Sequence, residues 1–307
     1  MTEPWIELRL WRQFLAVAEE LHFGRAALRL HMTQPPLTQA IALLESRLGV
    51  RLFDRTKRSV QLTAAGGALV PQASDLLARA AAMPAQARAA AQGDIGKLKL
   101  AFVSTAGFGL LPRWVRGFRA HQPGVEFELV EATSDVQEGL LDRGEVDAGF
   151  VIHSPGFAPP ALQHLRVARE PLVAAIHESH PLARVRALRT EALLEEPLVI
   201  FPRRIVPSLH DAIFGLYHSQ GRAPRVVQEA IQMQTIVNLV AAGLGVAWVP
   251  QSVREFQRAG VVYRAIPPAQ ARKVPSCETS LAWRADRVSP ALDRFLAFAR
   301  RQVRARG

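Results

Sequence analysis

The chain of 307 residues is 49% hydrophobic and 21% charged, with a formal net charge of +11 and one cysteine, Cys277. Such a length predicts two or three packed domains and excludes a disordered polyelectrolyte, while a lone thiol excludes an internal disulfide framework or a cysteine-rich zinc site. With Glu3 and Glu7 where an apolar leader would stand, and no longer apolar run than the stretch around Ile236 to Val249, the expectation is a soluble cytoplasmic protein that stays out of membranes.

The first element is a helix with Leu10, Phe14, Val17, Ala18 and Leu21 on one face. Trp5 and Trp11 beside it fit packing or dimer contacts better than base reading. From Phe23 to Leu62 follow two short amphipathic helices, a tight turn between them, and a two-stranded wing. Ala26, Ala27 and Leu30 mark the inner face of the first helix; Leu37, Ile41, Leu44 and Leu48 mark that of the second. Helix-turn-helix geometry puts the second helix in the major groove of DNA and lays the first across the backbone.

Thr33 is the N-cap candidate of that second helix, with Gln34, Pro35 and Pro36 in its first turn. First-turn prolines are tolerated because those N–H groups lack intrahelical partners. They also remove the donors an N-cap hydroxyl normally binds, leaving the Thr33 hydroxyl for a DNA phosphate or, equally, for a shifted cap or water. No Lys or Arg stands between Arg29 and Arg47, so the exposed face is polar. Gln34, Thr38 and Gln39 are the base-edge candidates, with Pro36 beside them, since Gln pairs with adenine and a Thr methyl meets the thymine methyl. Arg29, Arg55, Lys57 and Arg58 suit phosphates, the last three at the wing tip. Residues 1–65 hold nine basic against six acidic side chains, so charge supports DNA binding weakly and the motif supports it strongly.

The stretch AALRLHMTQPPLTQAIALLESRLGVRLFDRTKRSVQLTAAG resembles the N-terminal module of LysR-type transcriptional regulators almost position by position. The alanines, T-Q-P, Leu44 with Glu45, L-G-V, L-F-x-R and L-T-x-A-G stand in the family's order. Many relatives carry arginine where Gln39 stands, and that departure leaves the preferred base open. The resemblance implies an α/β protein overall. It would comprise a winged helix-turn-helix DNA-binding domain over 1–63, a linker and dimerisation helix over 64–92, and a two-lobed periplasmic-binding-protein-like effector domain over 93–307.

The linker, Ala64 to Gln92, is alanine-rich with Leu69, Leu76 and Leu77, a stripe suited to a close-packed antiparallel partner helix. Pro71 and Pro84 are expected to kink or interrupt it, and Gly93, Asp94 and Gly96 to form a hinge. From Lys97 the pattern alternates: strand KLKLAFV, helix FGLLPRWVRGFRAH, strand VEFELVEA, helix SDVQEGLLDRG and strand AGFVI. Such alternation predicts a mainly parallel sheet covered by helices. Pro155, Pro159 and Pro160 lead into a second unit with strands LVAAI, LVIF and VAWVP and helices LHDAIFGLYHSQ and TIVNLVAAG. Pro267, Pro268 and Pro275 lead back to strand TSLAW and a last helix from Pro290. Two crossings imply two lobes, the first about 97–160 and 270–307, the second about 161–269.

Ligands of open α/β sheets bind at the carboxyl ends of strands. Ser104 and Thr105 follow the first strand and Thr133 the second, each before a helix whose free N–H groups suit an anion. Phe201, Pro202 and Arg203 end a strand of the other lobe, and Gln234 and Thr235 open a helix there. For each hydroxyl taken singly, plain helix capping is the better reading; their convergence on one cleft raises the binding reading for the group. The family resemblance implies that such positions contact an inducer, and FVSTAGFGLLP with EATSDVQEGL is similar to the branch responding to aromatic-catabolism acids.

Other constellations are weak. His177 and His180 lack the i, i+4 spacing of helical zinc ligands, and Ser104 has neither a G-x-S-x-G elbow nor an evident base. Cys277, at the start of a strand, is expected to be a buried apolar residue. The reading is a LysR-type regulator, not an enzyme, without cofactor or metal. It would bind promoter DNA and a small, carboxylate-bearing effector as a homodimer or homotetramer, with RNA polymerase as an open further partner. The rival class, a solute-binding protein or enzyme on the two-lobed domain, lacks a signal peptide on one side and a nucleophile–base pair on the other.

Overall fold

Helix α1 (Leu8–Glu20) buries Leu10, Phe14, Val17 and Ala18, the face their spacing predicts. Leu21 is not on that face: it is exposed, and its φ of 48° makes it the left-handed residue that ends the helix. The structure, a computed structural model, describes residues 5–56 and 59–305. Contacts divide the chain into two units, Met1–Arg88 and Ala89–Gly307.

In the first unit α2 (Phe23–Arg29) and α3 (Gln34–Leu48) follow α1. His22 caps α2, its Nδ1 accepting from the Arg25 N–H at 3.2 Å. Leu37, Ile41 and Leu44 of α3 join Phe14, Phe23, Ala26, Ala27 and Phe53 in one core. Gly49, with φ of 68°, ends α3. The wing is β1 (Phe53–Arg55) antiparallel to β2 (Val60–Leu62), with Phe53 opposite Leu62. Helix α4 (Ala64–Gln92) is continuous through Pro71 and Pro84, which corrects the expected interruption. Each proline removes one backbone donor, while the alanines around them have the highest helix propensity and keep the other bonds in place.

The second unit opens with β3 (Ile95–Phe102), α5 (Ser104–Gly107), α6 (Leu110–His121), β4 (Gly124–Glu131), α7 (Ser134–Arg143) and β5 (Ala148–His153). β4, β3 and β5 are parallel, as the alternation predicts. Next come β6 (Gln163–His177), α8 (Pro181–Arg184), α9 (Thr190–Leu193), β7 (Leu198–Ile200) and α10 (Pro207–His218). They are followed by β8 (Val226–Glu229), α11 (Met233–Ala241), β9 (Ala247–Pro250) and β10 (Val261–Arg264). α12 (Pro268–Ala271), β11 (Ser276–Trp283) and α13 (Pro290–Arg304) complete the chain.

Strand β6 serves both lobes. Up to Pro171 it pairs antiparallel with β11, and from Leu172 with β9 and β10. Proline cannot donate to a ladder, so the exchange of partners falls at Pro171, later in the chain than Pro155, Pro159 and Pro160. The sheet that contains β6 is therefore parallel only over β4, β3 and β5 and antiparallel elsewhere, while β7 and β8 pair parallel in a separate two-stranded sheet. β8 and β10 correspond to no strand read from the sequence: β8 is exposed at every position and β10 half-buried at every position, so neither alternates.

Trp114 and Phe118 of α6 meet Phe295 and Phe298 of α13 edge to face, fixing the last helix against the first lobe. The residues read as a hinge are tied to α13. Gly93 has φ of 74° and leaves no room for a Cβ beside Pro290, Arg294 donates to the Gln92 carbonyl at 2.8 Å, and it pairs with Asp94 at 2.9 Å. Among the described residues no helix is long and apolar enough to cross a membrane.

Candidate DNA and effector sites

The N-terminus of α3 presents its polar residues outward. Thr33, Gln34, Pro36 and Gln39 are exposed. Thr33 is the N-cap and makes no side-chain cap bond, as follows from prolines at the positions that would donate to it. The Thr38 hydroxyl is engaged in its own helix, donating to the Gln34 carbonyl at 3.1 Å. Gln34, Thr38 and Arg55 border one recess with His22, Gly24 and Ser59. Lys57 and Arg58 lie outside the described residues.

The two described cations have intramolecular partners. Arg29 pairs with Glu19, and with Glu20 at 3.6 Å. Arg55 pairs with Glu45 at 2.9 Å, and its guanidinium lies 4.7 Å from the Phe23 ring centroid. Glu45 has a role that the sequence reading missed. Its Oε1 accepts from the backbone N–H groups of Leu52 at 2.9 Å and Phe53 at 3.1 Å, so one carboxylate fastens the wing to α3. The available signal was its isolation as the one acid within α3.

In the second unit a small recess opens between the lobes. From the first lobe it is bordered by Val103, Ser104, Thr105, Ala132, Thr133 and Ile152. These stand at the carboxyl ends of β3, β4 and β5, where the sequence placed Ser104, Thr105 and Thr133. Thr133 is the N-cap of α7 and its hydroxyl makes no cap bond. Its position is set from behind. Ser134 accepts from the Ile152 N–H at 3.1 Å, and the Gln137 amide donates to Ala132 and Phe150 carbonyls at 2.8 and 3.1 Å. Gly149 makes room for Gln137, since a Cβ there would sit 2.3 Å from its Oε1. Ser134 and Gln137 share the buried face of α7 with Leu141, and polar residues on an inner stripe were the sign to look for.

The opposite wall comes from the second lobe: Phe201, Ile205, Val206, Leu209, Ile231, Gln232 and Met233. Phe201 is where the sequence expectation put it. Pro202 is buried behind and does not border the recess, nor does Arg203. The Arg203 guanidinium instead binds Asp211 through two bonds of 2.7 and 2.6 Å. That pairing raises the arginine and holds the Asp211 carboxyl below its ordinary range. Gln234 is also displaced from the wall, because α11 begins at Met233, not at Gln234. Met233 is the first member of the buried stripe Met233, Ile236, Val237, Val240, so Gln232 occupies the N-cap position, makes no side-chain cap bond, and borders the recess. The lobes are joined here by the Ser154 N–H donating to Ser208 Oγ at 3.1 Å and Ser154 Oγ donating to the Ser208 carbonyl at 2.9 Å.

His177 and His180 make local bonds, the first to Ser179 Oγ at 2.7 Å and the second accepting from the Leu182 N–H at 3.2 Å. Cys277 is fully buried, which pushes its thiol well above the usual range.

Residues 8–67 match the family described as bacterial regulatory helix-turn-helix protein, lysR family, and residues 91–304 match the LysR substrate binding domain. The HTH-type transcriptional regulator IlvR of Caulobacter vibrioides is 47% identical over 292 residues, spanning 95% of this chain and 96% of that one. AlsR of Bacillus subtilis, also named an HTH-type transcriptional regulator, is 37% identical over 292 residues, with 95% and 94% covered. The crystal structure of full-length CbnR complexed with its target DNA superimposes with a TM-score of 0.76 at 30% identity, covering 97% of this chain and 100% of the other.

Proposed function

The chain belongs to the LysR family of DNA-binding transcriptional regulators, and from that premise we propose that a small carboxylate held between the lobes of residues 93–307 modulates its grip on promoter DNA. In this reading residues 1–63 bind the promoter. Gln34, Thr38 and Gln39 of α3 face the bases, while Thr33, Arg29, Arg55, Lys57 and Arg58 face phosphates. Residues 64–92 join copies into a homodimer or homotetramer that works in the cytoplasm. A relative solved with its target DNA supports the promoter partner.

One observation carries the effector reading. Thr105 is 6% exposed and borders the recess with Ser104 and Thr133, and its hydroxyl is buried without a hydrogen-bond partner. A buried hydroxyl left unpaired costs about 1–3 kcal/mol, and a carboxylate accepting from it removes that cost. Charge-assisted bonds of this type contribute roughly 1.5–3 kcal/mol each. Thr133→Val is therefore expected to weaken the effector by about tenfold or more while leaving effector-free promoter binding unchanged. Calorimetry on the full-length protein with organic acids measures the first, and a promoter-binding titration the second. If an acid that releases or tightens promoter binding is held equally well by parent, Thr133→Val and Ser104→Ala proteins, the cleft is not its site.

A further inference from the structure

We infer that the effector is a monocarboxylate with an uncharged, apolar body, and that the regulator discriminates against dicarboxylates of the same skeleton. The inference rests on the cleft reading above and adds the chemistry of the other end of the ligand.

The recess is polar on one side only. Ser104, Thr105 and Thr133 all border it from the first lobe, Thr133 at the start of α7, where first-turn N–H groups lack intrahelical partners. The facing wall is Phe201, Ile205, Val206, Leu209, Ile231 and Met233. Its sole polar side chain is Gln232, a neutral amide with no capping duty of its own, fit for a hydroxyl or keto oxygen and not for a charge. Among the described residues no lysine, arginine or histidine borders the recess. Of the two arginines in sequence between Phe201 and Ile205, Arg203 is already held by Asp211, and Arg204 borders the neighbouring recess instead.

A second carboxylate on the ligand has two places to go, and both oppose it. Against the apolar wall it would be a buried charge without a partner, the most costly state for such a group. Beyond Ile152, Ile205 and Val206 lies a second recess, where it would meet Asp135 and Glu138 with Arg204 as the lone arginine. Glu138 is itself pushed upward by burial and by the neighbouring acids Asp142 and Asp135, so a further negative charge is unwelcome there. An alkyl or aryl body, by contrast, buries apolar surface against six apolar side chains and needs no partner.

The test is calorimetry on the full-length protein with matched acids: hexanoate against adipate, benzoate against terephthalate, and branched monoacids against their diacid counterparts. Monoacids are expected to bind at least tenfold more tightly than the diacids. A second variant supplies the missing charge. Ile231 is half exposed at 50%, so Ile231→Arg can be accommodated at the surface and should narrow or reverse the preference by at least tenfold, while Ile231→Met keeps it. Diacids binding the parent as tightly as monoacids would overturn the inference and leave the cleft reading standing. If no acid binds, or if binding is indifferent to Thr133→Val, the cleft reading fails and this inference with it.

Discussion

Glu45 and Gln39 stand on the same helix in opposite surroundings, the first bonded and the second exposed. Glu45 is half-buried, with two backbone N–H groups and one guanidinium converging on its carboxylate. Truncating it leaves those donors unpaired, at about 1–3 kcal/mol. Glu45→Ala is expected to destabilise the protein by that amount in urea unfolding and to weaken every promoter sequence alike, because the wing loses its fixed position. Parent-like unfolding would mean that the wing is held by something else. Arg55→Ala spares the backbone bonds, so its larger effect should be a shallower salt dependence of DNA binding. Gln39 is exposed and makes no such bonds. If it reads a base edge, Gln39→Ala should cost about 1–3 kcal/mol at one operator position and relax preference there. A selection experiment that finds unchanged preference with uniformly weaker binding would remove Gln39 from the base readers. Thr38 is the weaker candidate of the pair, its hydroxyl already committed to Gln34.

At the level of elements, the start of α4 is locked to the winged domain by a close approach. The Thr63 hydroxyl donates to the Arg51 carbonyl at 2.8 Å and accepts from the Gly66 N–H at 3.0 Å. A Cβ on Gly66 would stand 2.2 Å from the Leu52 carbonyl oxygen. That contact is with backbone, which cannot swing aside, so Gly66→Ala is expected to destabilise by about 1–3 kcal/mol. Gly67→Ala, where a Cβ meets nothing within 4 Å, should be neutral or stabilising through helix propensity. Thermal unfolding of the two variants side by side decides it; equal midpoints would show that α4 shifts to absorb the methyl. Elements of this kind were legible wherever periodicity was strong. The stripe of α3 and the alternation from β3 to β5 could be read directly, and with them Ser104, Thr105 and Thr133 at the strand ends. What escaped was set by tertiary partners. The exchange at Pro171 depends on which strand lies alongside, Arg203 on where Asp211 falls, and the start of α11 on the burial of Met233.

For the molecule as a whole, the decisive feature is that α4 is long and nearly unburied. Of its 29 residues only Gly66 and Ala73 are buried, while Leu76 and Met83 are 42% and 64% exposed. A helix of this length with so little packing has no reason to persist alone, since most helical stability in proteins comes from a buried face. Its alanines allow another helix to approach closely, and Leu76 and Met83 supply apolar area for the contact. Self-association through α4 would also matter for function, because joining two winged domains would make the second DNA contact intramolecular and raise its effective concentration. Leu76→Glu with Met83→Glu places charge in that contact without touching either core. The double variant is expected to shift the protein toward monomer in sedimentation equilibrium at micromolar concentration, and to lose at least tenfold in affinity for a two-half-site promoter. Its affinity for one isolated half-site should remain that of the parent. A full-length parent that sediments as a monomer at the same concentration, or a double variant that stays associated, would show that α4 is not where the copies meet.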